Sequence, residues 1–354
     1  MKNNQITSQL LNWYINNQRD LPWRKDRNPY KIWLSEIILQ QTRVDQGLPY
    51  YQRFTNKFPT ILDLASARED KILRTWQGLG YYSRARNLHK CAKIVVNKYD
   101  GVFPSTREEL MELPGIGPYT SAAIASIAYG KKEAVVDGNV IRVITRIFGI
   151  ERDISLLKTI KEIKSIADDL LPAETPGQFN QAIMEFGAIF CTPNGPSCST
   201  CIFNDICVAH LKKDVKRIPF KSKKIKKRTR YFNYLMIELD DKILLKKRTA
   251  KDIWNGLFEF YLMENDSHAE FDGLQIPTVM SKHPDKWEII DESKIFKHLL
   301  THQTIMCQFY HVKMHNNFVF NQEDWPDYNL YSRDEIESLP KSILIDRFLG
   351  EKIN

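Results

Sequence analysis

The sequence predicts a mostly α N-terminal domain followed by a smaller α+β C-terminal domain, and three observations carry that prediction. Apolar residues recur at helical spacing in IWLSEIILQQTRV, TSAAIASIAYG and NVIRVITRIFGI, with Gly or Pro between the segments. From Tyr231 the period becomes that of strands, in YFNYLMIELDDKILLKKR and again in MCQFYHVKMH. Between the two lies KKDVKRIPFKSKKIKKRTR, residues 212–230, with eleven Lys/Arg against one acid, Asp214. The domains are therefore expected at 1–210 and 231–354, with a basic linker at 211–230.

A chain of 354 residues is long enough for two cores. Its 43% hydrophobic and 27% charged residues are the balance of an ordinary globular protein. No apolar run reaches the ~18 residues of a membrane span, and the N-terminus has no signal-peptide core. A cytoplasmic protein without a membrane role is expected. The net charge of +8 is uneven, because residues 212–230 carry +10 and the rest therefore sums to −2. Such a run reads either as a solvated tether or as a segment that touches a phosphate backbone.

Taken in order, the first unusual residue is Glu36 in KIWLSEIILQQT. A mid-helix glutamate ordinarily faces water, but Glu36 shares a stripe with Ile32, Trp33 and Leu39. Desolvation would raise its pKa and suit it to donate a proton near neutral pH. Thr106 and Glu109 then form a capping-box pattern ahead of LMEL. ELPGIGPYTSAAI follows, two glycines and two prolines between helical runs. It reads either as a plain αα turn or as a helix-hairpin-helix whose free N–H groups grip a phosphate. In AVVDGNVIRVITRIF, Asp137 reads as an N-cap, with Asn139 a second polar group at the same helix mouth. A capped carboxylate is held rigid and anionic, which stabilising a developing positive charge requires.

Four of the six cysteines cluster, Cys191, Cys198, Cys201 and Cys207, spaced C-x6-C-x2-C-x5-C. Four thiols within 17 residues point to a metal site, tetrahedral zinc or a [4Fe–4S] cluster. Cys91 and Cys307 read as buried small hydrophobes. Beyond the linker, Asp240-Asp241 reads as a hairpin turn and SRDEIESLPKSILIDRFLG as a closing helical stretch.

Taken together, LPGIGPYT, VVDGNVIR and the cysteine spacing resemble the endonuclease III superfamily of helix-hairpin-helix DNA glycosylases. LPWRKDRNPYKIWLSEIILQQTRV and GLGYYSRARNL resemble its adenine-glycosylase branch, MutY, and the match runs from Leu21 to Cys207. The resemblance implies a monomeric enzyme that flips adenine out of a duplex and removes it where it is mispaired with 8-oxoguanine or guanine. It implies Glu36 as the proton donor, Asp137 as the group that stabilises the oxocarbenium-like sugar, and Tyr119 and Asn139 as their positioning partners. It places Arg24 and Gln181 at the flipped base, and Gly115 and Gly117 at the phosphate grip. Gln41, Thr42, Leu79 and Tyr81 fall where the branch wedges the duplex and touches the lesion strand. It implies a [4Fe–4S] cluster on the four cysteines.

The C-terminal part resembles the MutT-like (Nudix-like) domain of this branch through IWNGLFEF at 253–260, without the glutamate-rich hydrolase signature. A lesion-sensing role without nucleotide hydrolysis is implied. Where relatives carry a Phe-Ser-His loop, the matching stretch is Phe296-Lys297-His298, and lysine there can donate a hydrogen bond but not accept one. An endonuclease III-like lyase would need a lysine after the hairpin, and that position is Tyr119. A non-enzymatic iron–sulfur DNA-binding protein would leave Glu36 and Asp137 without a role.

Overall fold

The computed structural model describes residues 2–222, 227–267 and 269–353. Part of the basic linker, residues 223–226, lies outside the described residues. The first helices are α1 (Lys2–Asn17), α2 (Pro29–Leu39), α3 (Val44–Lys57), α4 (Ile61–Ser66) and α5 (Glu69–Trp76). They continue with α6 (Ser83–Tyr99), α7 (Arg107–Met111), α8 (Pro118–Ile127), α9 (Gly138–Phe148), α10 (Leu157–Leu170), α11 (Pro176–Glu185) and α12 (Val208–Leu211). The strands are β1 (Arg228–Leu239), β2 (Lys242–Lys247), β3 (Phe258–Glu259), β4 (Tyr261–Asn265), β5 (Trp287–Glu292), β6 (Phe296–Leu299), β7 (Gln303–Met314) and β8 (Tyr328–Tyr331). Helices α13 (Thr278–Lys282), α14 (Arg333–Ser338) and α15 (Ile343–Ile353) accompany the sheet. No helix among the described residues is long and apolar enough to cross a membrane.

Two compact units form. The first joins residues 1–66 to 87–223, and the second joins 67–86 to 224–354. Residues 67–86, helical in the sequence pattern, thus group with the strand-rich part, a long-range association that periodicity cannot reveal.

In the first unit α8 is buried along nearly its whole length, and α11 packs against it closely. A Cβ on Gly177 would stand 2.7 Å from the Ser126 carbonyl oxygen, so this backbone approach requires glycine. The Thr106 side chain caps α7 as expected, accepting from the Glu109 N–H. Glu109 turns back onto the Thr106 hydroxyl at 2.5 Å, and α7 ends at Met111, before Pro114. Gly149, at φ +68, closes α9 in the left-handed region that glycine adopts without strain. After Glu185 the helix widens into a π turn, Phe186–Phe190, and the Cys191 N–H bonds five residues back to the Phe186 carbonyl. That turn delivers the chain to the first clustered cysteine.

In the second unit the sheet runs β3-β2-β1-β7-β5, with β4 also on β1, β6 on β7 and β8 on β2. Only β1 and β7 among these pairs run parallel. The expected hairpin at Asp240-Asp241 is present, with Leu239 opposite Lys242 and both aspartates at positive φ. The closing stretch forms two helices, α14 and α15, because Pro340 interrupts the pattern. Cys91 and Cys307 are fully buried, as their isolation suggests.

Candidate active site

Three elements of the first unit meet at one cavity of about 530 Å³. Helix α2 contributes Glu36, α8 begins with Pro118-Tyr119, and Asp137 sits at the mouth of α9. Gln41, Gly115 and Gly117 also line it.

Glu36 is buried among the apolar residues of α2, only 8% exposed. Burial pushes its carboxyl from the ordinary range up to about 7, and the negative Asp137 adds to the push. The Tyr119 hydroxyl donates to Glu36 Oε2 at 2.5 Å, which pulls the other way, as does the charge of Arg24. The Tyr119 hydroxyl also lies 3.3 Å from Met184 Sδ. Desolvation and the two carboxylates raise the phenol well above its usual pKa, so Tyr119 stays a donor.

Asp137 is the N-cap of α9. Its Oδ1 accepts from the Val140 N–H at 2.8 Å, and its Oδ2 accepts from the Asn139 amide at 2.7 Å. These bonds and the charge of Arg142 favour the anion, yet burial outweighs them and the carboxyl is raised. The expectation of a fully anionic cap is therefore softened by desolvation: the group is held rigid, but its ionisation is not free.

Arg142, which the sequence pattern did not single out, ties this corner to the cysteine loop. Its Nη2 donates to Asn139 Oδ1 at 2.8 Å and to the Gly187 carbonyl at 2.6 Å, and its Nε donates to the Cys191 carbonyl at 2.7 Å. Gly187 permits the contact, since a Cβ there would meet Asn139 Cβ at 2.6 Å. The signal was an arginine within the apolar run of α9, where a buried cation must find several acceptors. Arg142→Gln removes at least two of these bonds. It is expected to lower the base-excision rate constant about 100-fold in a single-turnover assay, with duplex affinity changed far less.

The hairpin loop is open at its glycines. Gly115 stands at φ +81, Gly117 caps α8 with open space where a Cβ would be, and Ser121 is the first N–H of α8 bonded back to Gly117. The amides that precede Ser121 at the helix mouth have no acceptor within α8. Gln41 is exposed at φ +55 just past α2, and Thr42 follows it.

Arg24 and Gln181 do not line the cavity. Arg24 is held at 2.7 Å by Glu185, which also takes two bonds from the Arg19 guanidinium and whose carboxyl falls to about 2. Gln181 Oε1 accepts from the Tyr14 hydroxyl at 3.1 Å. Arg24 still reaches Glu36 through its charge.

In the second unit the expected lesion-strand residues sort differently. Tyr81 is 42% exposed, stands at φ +50 and shares a hydrogen bond with the Thr301 hydroxyl. Leu79 is only 4% exposed, and its side chain packs inward. Phe296-Lys297-His298 is not a loop but part of β6, paired with Cys307, Met306 and Ile305 of β7. Phe296 packs edge-on against Phe309, Lys297 is exposed, and burial lowers the pKa of His298 beside Trp254. The apolar face of β7 recruits this stretch as its antiparallel partner, and the turn falls at Leu300-Thr301-His302. Thr301, in the turn after β6, is the residue bonded to Tyr81.

Cys191, Cys198, Cys201 and Cys207 line one small cavity together with Arg146, Phe186, Phe190 and Phe203. None forms a disulfide. Arg146 Nη1 approaches Cys191 Sγ at 3.4 Å, and the Phe203 N–H approaches Cys201 Sγ at 3.4 Å. Burial pushes the Cys201 thiol up to about 11, and the other three cysteines add to that push. Four thiolates would therefore need a bound positive centre, and this donor set fits thiolate ligation. Among the described residues no three His, Cys, Asp or Glu side chains converge on a single-ion position.

A glycine-bearing hairpin beside a buried acid and a capped carboxylate is the arrangement expected of a DNA N-glycosylase of the helix-hairpin-helix class. Residues 34–173 match the HhH-GPD superfamily of base excision DNA repair proteins, and residues 233–351 match the NUDIX domain. The adenine DNA glycosylase of Buchnera aphidicola subsp. Acyrthosiphon pisum is 38% identical over 266 residues, 75% of this chain and 76% of that one. The human adenine DNA glycosylase is 46% identical over 209 residues, 56% of this chain and 38% of that one. The chain belongs to the adenine DNA glycosylase family. Among solved structures a thermostable thymine-DNA glycosylase matches with TM-score 0.55 and 34% identity, over 60% of this chain and 98% of that one. A non-covalent endonuclease III–DNA complex matches with TM-score 0.52 and 23% identity, over 59% and 94%, and shares the fold.

Proposed function

We propose that this glycosylase excises adenine mispaired with 8-oxoguanine or guanine, using the Glu36 and Asp137 carboxyls. The observation that supports this most is the pairing itself: a buried and a half-buried carboxyl in one cavity, one raised to about 7 and bonded to Tyr119, the other a rigid N-cap. Glu36 near neutrality is partly protonated, the state a general acid needs. Its proton passes to a ring nitrogen of the flipped adenine as the N-glycosidic bond breaks and that bond's electron pair leaves with the base. Asp137 stabilises the oxocarbenium-like sugar until water adds to it and returns a proton to Glu36. Tyr119 and Asn139 position the two carboxyls. Arg24, fixed by Glu185, acts on the site through its charge on Glu36, and Gln181 stands outside the cavity lining.

The hairpin amides about Gly115 and Gly117 hold a backbone phosphate of double-stranded DNA. Gln41 and Thr42 enter the space that the flipped adenine leaves, and Tyr81 with Thr301 faces the lesion strand, an aromatic stacking on a base at the cost of unstacking another. Cys191, Cys198, Cys201 and Cys207 hold a [4Fe–4S] cluster, whose part is to order the loop between them rather than to take part in bond cleavage.

The test is a single-turnover assay on duplexes carrying A opposite 8-oxoguanine, A opposite G, and A opposite T. Adenine release from the first two and not the third is expected; release of pyrimidines would overturn the assignment. Because Tyr119 stands where a lyase needs an amine, the enzyme should leave the strand intact. Tyr119→Lys is expected to add strand cleavage, seen as a borohydride-trappable protein–DNA adduct absent from the wild type.

A further inference from the structure

The stretch from Gly130 to Asp137 forms neither helix nor strand, although Ala134 and Val135 are buried. Buried backbone groups in such a stretch must find partners elsewhere. One side chain supplies them. Asn180, on α11 and 1% exposed, accepts from the Val135 N–H at 3.1 Å and donates to the Glu133 carbonyl at 2.7 Å. Its amide nitrogen also lies 2.8 Å from Ser126 Oγ on α8. The amide thus uses both of its N–H donors and one acceptor site between a rigid helix pair and the two residues that lead into Asp137. The helix pair is rigid because Gly177 lets α11 contact the backbone of α8 at Ser126 and Ile127.

We propose that Asn180 is a positioning residue for catalysis. It sets the chain entering Asp137 in register with α8, the helix that carries Tyr119, and so fixes the spacing of Asp137 from Glu36. This inference rests on the catalytic reading of Asp137 given above. Asn180 touches neither substrate nor the reacting carboxyls; it acts through the backbone of Glu133 and Val135. When the entry to α9 loosens, Asp137 loses alignment with the Val140 N–H, the bond that favours its anion. The other groups that bear on Asp137 are Arg142 and the Asn139 amide, which favour the anion, and Glu36 and Tyr119, whose own titrations Asp137 raises.

The test uses the full chain and three measurements. For Asn180→Ala the single-turnover rate constant is expected to fall about 30-fold. Affinity for a duplex bearing a non-cleavable 2′-fluoroadenosine opposite 8-oxoguanine should stay within about two-fold, since no DNA contact is removed. The acidic limb of the pH–rate profile should move to higher pH, because a less well solvated Asp137 protonates sooner. Ser126→Ala, which leaves the bonds to Glu133 and Val135, should lose less rate. Should Asn180→Ala not fold, Asn180→Asp keeps an acceptor for Val135 and is expected to show the same displaced limb. An unchanged rate, or losses of rate and affinity in equal proportion with an unmoved limb, overturns the proposal. Asp137→Asn run alongside separates the two readings: full activity in that variant defeats the role of Asp137 itself.

Discussion

Glu36→Gln is expected to lower adenine release by at least about 1,000-fold while making the folded protein more stable above neutral pH. Glutamine keeps the shape and can still accept from Tyr119, but has no acidic proton to give. The stability change follows from the raised carboxyl. Glu36 titrates near 7 in the fold against an ordinary 4.5, so the fold favours its protonated form. That favourable contribution is complete below about pH 4.5 and fades as pH rises through 7, where ionising a buried group costs the fold. A shift of this size corresponds to roughly 3 kcal/mol at high pH. Denaturation at pH 5 and pH 8.5 should therefore show the variant gaining much more on the wild type at the higher pH. Equal stability differences at both would show that Glu36 is not desolvated.

Asp137→Asn separates charge from cap. Asparagine caps helices about as well as aspartate, so α9 should persist. Its amide would nevertheless face the amide of Asn139, which Arg142 holds by its oxygen, and one donor against another costs about 1 kcal/mol. The larger effect is chemical. Without an anion beside the developing sugar cation, excision should fall by about 1,000-fold or more, with retained binding to a duplex bearing 2′-fluoroadenosine. A variant within ten-fold of wild type would move the stabilising charge elsewhere.

Both residues were legible because each broke a local rule: a glutamate in an apolar stripe, and an aspartate with a polar companion at a helix mouth. The helices, the Asp240-Asp241 hairpin and the clustered thiols were legible for the same reason, since spacing and turn chemistry are local. What escaped depends on distant partners. Arg142 and Asn180 read as ordinary helical residues until Cys191 and Val135 come within reach. The burial of Leu79 and the grouping of residues 67–86 with the sheet are tertiary choices. So is the pairing of Phe296–Leu299 with β7, which converts an expected loop into a strand and moves the turn to Thr301.

In the proposed mechanism a buried acid titrating near 7 drives the departure of adenine. The direct measurement is the single-turnover rate constant on an A:8-oxoguanine duplex from pH 5 to pH 9. The rate should decline as pH rises through about 7, where Glu36 loses its proton, and the Glu36→Gln residual rate should lack that limb. A wild-type rate that stays flat or climbs between pH 6.5 and 8.5 would contradict the account.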